Sequence, residues 1–217
     1  MKDDIQARIS SDWVRRDSEL RRINSLAMKN KDEITSRCNV LITYSHWEGH
    51  FKKCASELLN FMCEGVRRKI FKWTDFEEDI RLRLIFCKFR KSSVGGQSEE
   101  TFIDHLNALN NQRYFDLRTA SDEIILIDDN LNSLRAATIC RNLGVEHAWC
   151  SLKKVVIDER LLAYRNALAH GSERLRDGSE IAAYSEEIAE ALEETRSLIR
   201  QSKDKFSNAI EMRSFLA

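Results

Sequence analysis

NVLITYSHWEGHFKKCASELLNFMCEGV, residues 39–66, decides the fold. Val40, Tyr44, Trp47, Phe51, Cys54, Leu58 and Met62 recur in it every three or four residues. That spacing lays one apolar stripe along an α-helix, because 3.6 residues complete a turn. The stripe predicts one long helix over 34–66. Gly49 falls inside it with no second turn-forming residue beside it. It is therefore expected to admit a close neighbour and not to end the helix.

Working outward, residues 3–31 carry sparse apolar positions, among them Ile5, Ile9, Trp13, Leu20, Ile23 and Ala27, on a charged background. They predict a first amphipathic helix. Further helices are expected over 75–90, 99–113 and 131–143, the last stopped by Gly144. Residues 91–98, with two adjacent glycines, predict a flexible loop. The β-branched run 124–127 is short and flanked by Asp128 and Asp129, which favours the start of a helix over a strand. A helix over 152–170, a polar loop over 171–179 and a long Glu- and Ala-rich helix over 181–206 complete the chain. No Pro and only 7 Gly occur in 217 residues, so helix breakers are scarce. The expectation is an all-α helical bundle in one domain, residues 1–217, with a core at about 34–172, an N-terminal helix in 1–33 and a C-terminal helix in 173–217.

Lys plus Arg and Asp plus Glu both number 35, so net charge says nothing about nucleic acid and only local patches can. No apolar run is long enough for a transmembrane helix, and the polar, acidic start does not read as a signal peptide. The six cysteines form no C-x-x-C pair. They predict reduced, partly buried thiols and a cytoplasmic setting.

The chemistry concentrates in Leu161-Leu-Ala-Tyr-Arg-Asn-Ala-Leu-Ala-His170-Gly171. An Arg, an Asn and a His stand at the end of an apolar helix that Gly stops. On an ideal α-helix Leu152, Val155, Val156, Leu162 and Ala169 share one side, and Ile157, Leu161, Tyr164 and Leu168 the other. Glu159, Asn166 and His170 fall inside the first stripe, where polar groups need partners or a purpose. A guanidinium is a planar, permanently charged match for phosphate oxygens, and an imidazole moves protons at neutral pH. The same residues also suit a plain cap, in which His170 complements the helix dipole and Arg165 forms a surface ion pair. Positions five apart differ by about 140° on a helix, so Arg165 and His170 do not face one another within one chain. Two copies about a two-fold axis would place two such pairs around one cleft.

Arg165-Asn166-Ala-Leu-Ala-His170 resembles the R-x(4–6)-H motif of the HEPN superfamily. Val155-Val-Ile-Asp-Glu-Arg160 before it and Gly171 after it are similar to that family too. Residues 41–57, with Tyr44, His46, Trp47, Glu48 and Gly49, resemble the Y-x-H-W-E-G helix of its MAE-type branch, and 131–145 the segment between. The resemblance covers most of 34–172, with gaps in 67–120, and leaves 1–33 and 173–217 outside. It implies an all-α bundle that dimerises around a composite cleft. It also implies a metal-independent endoribonuclease of a toxin or phage-defence system, or else a non-catalytic module binding RNA, nucleotide or a protein partner. By the resemblance, His170 is the acid/base residue, Arg165 holds the scissile phosphate and Asn166 orients the phosphate or His170. Glu159, His46 and Glu48 are candidate supporting residues. No cofactor is expected. The expected partners are an RNA substrate, a second copy of the chain, and an antitoxin or defence-system protein, with no membrane. RNA brings its own 2′-OH nucleophile, so DNA should resist. Ser172 stands where AMPylated members carry a Tyr, so regulation by that route is not expected.

His46 and His50 are spaced like zinc ligands, but Glu48 does not directly follow the first His and no third ligand is near, so no metal site is expected. His147-Ala-Trp149-Cys150 reads as a loop with a packed Trp. His105 carries no assignment, and Asp128-Asp129 fits helix-start chemistry. Residues 67–91 hold nine cations against four acids, interleaved with Phe71, Trp73 and Phe89. Arg67, Arg68, Lys69 and Lys72 are therefore candidates for RNA binding, with a solvated helix face as the alternative.

Overall fold

The computed structural model describes residues 1–30, 32–93, 117–126, 130–170 and 186–217, together with Ile103 and Asn107. Three long helices carry it: α1 (Lys2–Asn30), α2 (Glu33–Arg67) and, last in the chain, α8 (Glu186–Met212). Between them lie α3 (Glu78–Ser93), α4 (Ser121–Ile124), α5 (Ser133–Asn142), α6 (Ala148–Leu152), a π-helical segment (Val155–Leu162) and α7 (Ala163–Ala169). Short 3-10 turns stand at Trp73–Asp75 and Leu117–Ala120. No strand occurs among the described residues; an isolated antiparallel bridge pairs Phe76 with Leu216. The chain is an all-α bundle, and none of its described helices is long and apolar enough to cross a membrane.

α2 starts where Asp32 caps it, accepting the Thr35 N–H at 2.8 Å. It then runs unbroken for 35 residues. Its stripe is the core: Trp47, Phe51, Cys54, Leu58 and Met62 are fully buried. Trp47 packs on Phe51 (5.5 Å) and edge-on against Trp149 (6.3 Å), and Phe51 meets Phe206 of α8 (5.3 Å). α1 and α8 run antiparallel on α2, held by Lys2 to Glu211 at 2.9 Å and Arg196 to Asp17 at 2.6 Å. Gly49 does admit a neighbour: a Cβ there would lie 2.9 Å from the Arg16 guanidinium of α1.

At the far end of α2 a second aromatic group closes the bundle. Phe61, Phe71 and Phe76 surround Phe215 at 5.2–6.1 Å. The C-terminal residues are sewn in by Glu77 N–H to Phe215 O (3.0 Å) and Ala217 N–H to Asp75 O (2.9 Å). Gly144 ends α5 with φ +69°, in the left-handed region that favours glycine. A Cβ there would also lie 2.6 Å from Ile80 and 2.9 Å from the Phe215 backbone.

Several expected boundaries shift. The helix expected over 75–90 begins at Glu78, after the 3-10 turn, and continues to Ser93, beyond the expected loop start at Lys91. The expected helix at 99–113 and the loop residues 94–98 lie outside the described residues, apart from Ile103 and Asn107, both helical. Ile124 ends a short helix and does not begin one, because Ile124 and Ile125 both turn into the core. Asp128 and Asp129, His105 and the loop 171–179 are outside the described residues. The terminal helix continues past Phe206 to Met212, because Ala209 and Ile210 keep its apolar stripe buried. All six cysteines are free thiols, with Cys38 exposed and the others buried.

Gly144→Ala is expected to destabilise the fold by about 2–4 kcal/mol, from left-handed backbone strain together with overpacking. Equilibrium denaturation would measure it, and a change under 0.5 kcal/mol would remove Gly144 as a constraint.

Candidate functional site

The helix expected over 152–170 is three pieces. α6 stops at Leu152, with Lys153 in a turn; a π-helical stretch covers Val155–Leu162; α7 carries the motif. The 100° per residue arithmetic fails where the hydrogen bonds run i to i+5. Val156, Ile157, Leu161 and Tyr164 are buried. Leu152 and Val155, expected inside, are 82% and 49% exposed. Glu159 and His170 are exposed and Asn166 is half-buried, so within one chain no buried stripe encloses them.

Asp158 anchors the π-helical stretch. Its carboxylate accepts the Ser133 N–H (2.7 Å) and hydroxyl (2.6 Å), capping α5. Arg160 pairs with Glu194 of α8 at 3.1 Å. Two turns on, Arg165 lies over the Tyr44 ring of α2, its guanidinium carbon 5.1 Å from the ring centroid. Arg165 also donates to the Asn166 side-chain carbonyl at 2.9 Å, which uses one of its five N–H donors. His170 is the C-cap of α7; its backbone N–H bonds Asn166 O at 3.1 Å and its side chain faces solvent.

Tyr44, quoted in the sequence but assigned no role there, is the hub. It is buried, donates to Glu48 at 2.7 Å and accepts the Leu131 N–H at 2.9 Å. Burial first, then Glu48, pushes its phenol pKa far above the usual value, so it stays a neutral O–H. Glu48 thus lies on the motif side of α2. His46 does not. It faces α1, where Arg16 donates to its Nδ1 at 3.1 Å and Glu19 lies 3.1 Å from its Nε2.

His46 belongs to a polar layer between α1 and α2. Asp12 receives Arg16 at 2.7 Å, and the His50 Nδ1–H at 2.7 Å. The other His50 nitrogen meets the Cys54 thiol at 3.4 Å. Burial lowers the pKa of both imidazoles and raises that of the Cys54 thiol. The Arg16 guanidinium stands where a metal between His46 and His50 would have to sit. No group of three ligating side chains able to hold a metal occurs among the described residues. His147 precedes α6 at its N-cap, and the Trp149 indole donates to Glu146 O at 3.0 Å, so this segment packs as helix and not as a loop.

The basic stretch at 67–72 sits at the opposite end of α2 from the motif. Arg67 lies 23 residues beyond Tyr44, about 35 Å along the helix. Arg67 and Arg68 both pair with Glu64, at 3.0 and 3.2 Å, and Arg118 joins them at 3.2 Å. Lys69 takes φ 58° in the turn that ends α2, and Lys72 is exposed. Phe71 and Trp73 are buried, so the expected aromatic interleaving is unavailable to bases; they were drawn in by the Phe61–Phe215 group.

Desolvation raises the Asp12 pKa, but hydrogen bonds from Arg16, His50 and Arg15 outweigh it and hold the carboxyl at about 2, below the ordinary 3.8. Its contribution to stability is therefore full above about pH 4 and lost as the pH falls towards 2. Asp12→Ala is expected to melt lower than the wild type at pH 5 and to lose less on acidification. Thermal melts at pH 5 and pH 2.5 check this, and an equal acid loss in both proteins would sink it.

A model of the RiboL-PSP-HEPN family matches residues 11–208. No curated protein and no solved structure matches the chain. The match takes in most of α1 and α8, wider than the 34–172 read from the sequence, and agrees with their packing on α2. With the all-α bundle, this places the chain in the RiboL-PSP-HEPN family.

Proposed function

We propose that this chain is a metal-independent endoribonuclease in which Arg165 and His170 act on one RNA phosphate. HEPN membership gives the coarse function, an RNase or RNA-binding module. The observation that carries the finer proposal is the Arg165 guanidinium fixed over Tyr44 while His170, five residues on, presents its ring to solvent. Arg165 binds the phosphate and stabilises its added negative charge. The 2′-oxygen attacks phosphorus, the bond to the 5′-oxygen breaks, and a 2′,3′-cyclic phosphate and a 5′-OH remain. His170 moves a proton, from the 2′-OH or to the leaving oxygen. Attack and departure occur on opposite sides of phosphorus, so one imidazole serves one oxygen, and a second copy of the chain brings the second. The open apolar face at Leu152 and Val155 supports such a homodimer. Asn166 steadies Arg165, and Glu159 lies on the exposed side, where it can meet substrate or the second copy.

The resemblance to toxins and phage-defence components supports a cytoplasmic role of that kind, with a protein partner that restrains or triggers cleavage. The cations Arg67, Arg68, Lys69 and Lys72 would meet only an RNA long enough to span α2.

Wild type and His170→Ala, both verified as folded, are compared on mixed cellular RNA in EDTA at neutral pH. Cleavage by wild type alone, with 2′,3′-cyclic phosphate ends, is expected, and a matched single-stranded DNA should stay intact. His170→Ala should lose about 10²–10⁴-fold in rate. RNA binding without turnover by wild type would instead make the chain a binding module.

A further inference from the structure

We propose that Tyr44 is a positioning residue that holds the Arg165 guanidinium in its working orientation, an assignment that rests on the ribonuclease proposal above. Three observations meet at this side chain. Its ring face carries the cation, with the guanidinium carbon 5.1 Å from the centroid. Its hydroxyl is held from two sides, donating to Glu48 at 2.7 Å and accepting from Leu131 N–H at 2.9 Å. The side chain is only 4% exposed, so packing also blocks rotation of the ring out of place.

A long arginine has many rotamers, and an arginine on a seven-residue helix next to a solvent-facing His170 has little else to restrict it. The aromatic face attracts the cation without using its N–H donors, which stay available for phosphate oxygens. Asn166 takes one of those donors at 2.9 Å and sets the rotation of the planar group above the ring. The hydroxyl bonds then matter indirectly: they fix the ring, and the ring fixes the arginine. Leu131, which holds the hydroxyl, precedes α5, and α5 is capped by Asp158 of the π-helical stretch that leads to Arg165. Tyr44 therefore closes a circuit of contacts that begins and ends at the motif.

The ring and the hydroxyl separate by substitution. Tyr44→Phe keeps the face and loses the hydroxyl bonds; Tyr44→Leu loses both. The full chain is labelled with ¹⁵N-arginine, and the Arg165 Nε–Hε signal is assigned by its loss in Arg165→Lys. In the wild type this signal is expected upfield of a free arginine, shifted by the ring beneath it. Tyr44→Leu should return it to the free position, and Tyr44→Phe should leave most of the shift. On a short oligoribonucleotide, Tyr44→Leu should lower kcat about three- to tenfold with KM within about twofold, and Tyr44→Phe should lose less. A wild-type signal at the free position overturns the proposal even if neither variant folds. A signal unmoved in Tyr44→Leu, or equal kcat losses in both folded variants, also overturns it. If the wild type cleaves nothing, the ribonuclease proposal fails, while the arginine signal still decides whether Tyr44 holds Arg165.

Discussion

The hydrogen bond from the Trp47 indole to the Leu131 carbonyl, 3.2 Å long and buried, is the contact on which the arrangement of the motif depends. It fastens the segment ahead of α5 to the middle of α2, and the Tyr44 hydroxyl fastens the N–H of the same residue. Both polar groups of Leu131 are thus satisfied by one helix, in a place where an unmet carbonyl or N–H would be costly. With Leu131 fixed, Ser133 is fixed, and Asp158 must follow it. The route from Asp158 to Arg165 is then a matter of two helical turns.

α2 divides its polar residues between two tasks. On one side Tyr44 and Glu48 serve the motif. On the other, His46 and His50 meet α1 through Asp12, Arg16 and Glu19. The second set carries formal charges into a layer that is largely out of water, and it remains tolerable because each carboxylate there faces an arginine or an imidazole. Net neutrality of the whole chain hides this local pairing.

Much of this was legible in the sequence because it depends on period. The stripe from Val40 to Met62 predicted α2 to within a residue or two, Gly49 was read as a packing position, and Gly144 as a stop. The R-x4-H motif located the site. What was not legible depends on partners distant in sequence. His46 and His50 look alike whether they flank a metal or an arginine, and only α1 lying opposite decides between them. Tyr44 sits in the core stripe like any other aromatic, and nothing in its own neighbourhood says that Arg165, more than a hundred residues away, will rest on it. The faces of residues 152–162 were misassigned because a 3.6-residue period was applied where the helix is wider. Phe71 and Trp73 were taken as surface aromatics because their burial requires the C-terminal Phe215, which lies at the other end of the chain.

The π-helical stretch has a consequence for how the chain tolerates change in length. Asp158 is tied to α5, and Arg165 rests on Tyr44 of α2; neither anchor can slide. The wide turns between them store surplus chain, as a slack loop does in a taut rope. Excising one residue from 155–162 would draw the stretch toward ordinary α-helix and rotate everything after it by about 100° relative to α2. Arg165 would leave the tyrosine and a neighbour would take its place. Sequence length in these eight positions is therefore as much a part of the site as the identity of the residues that follow.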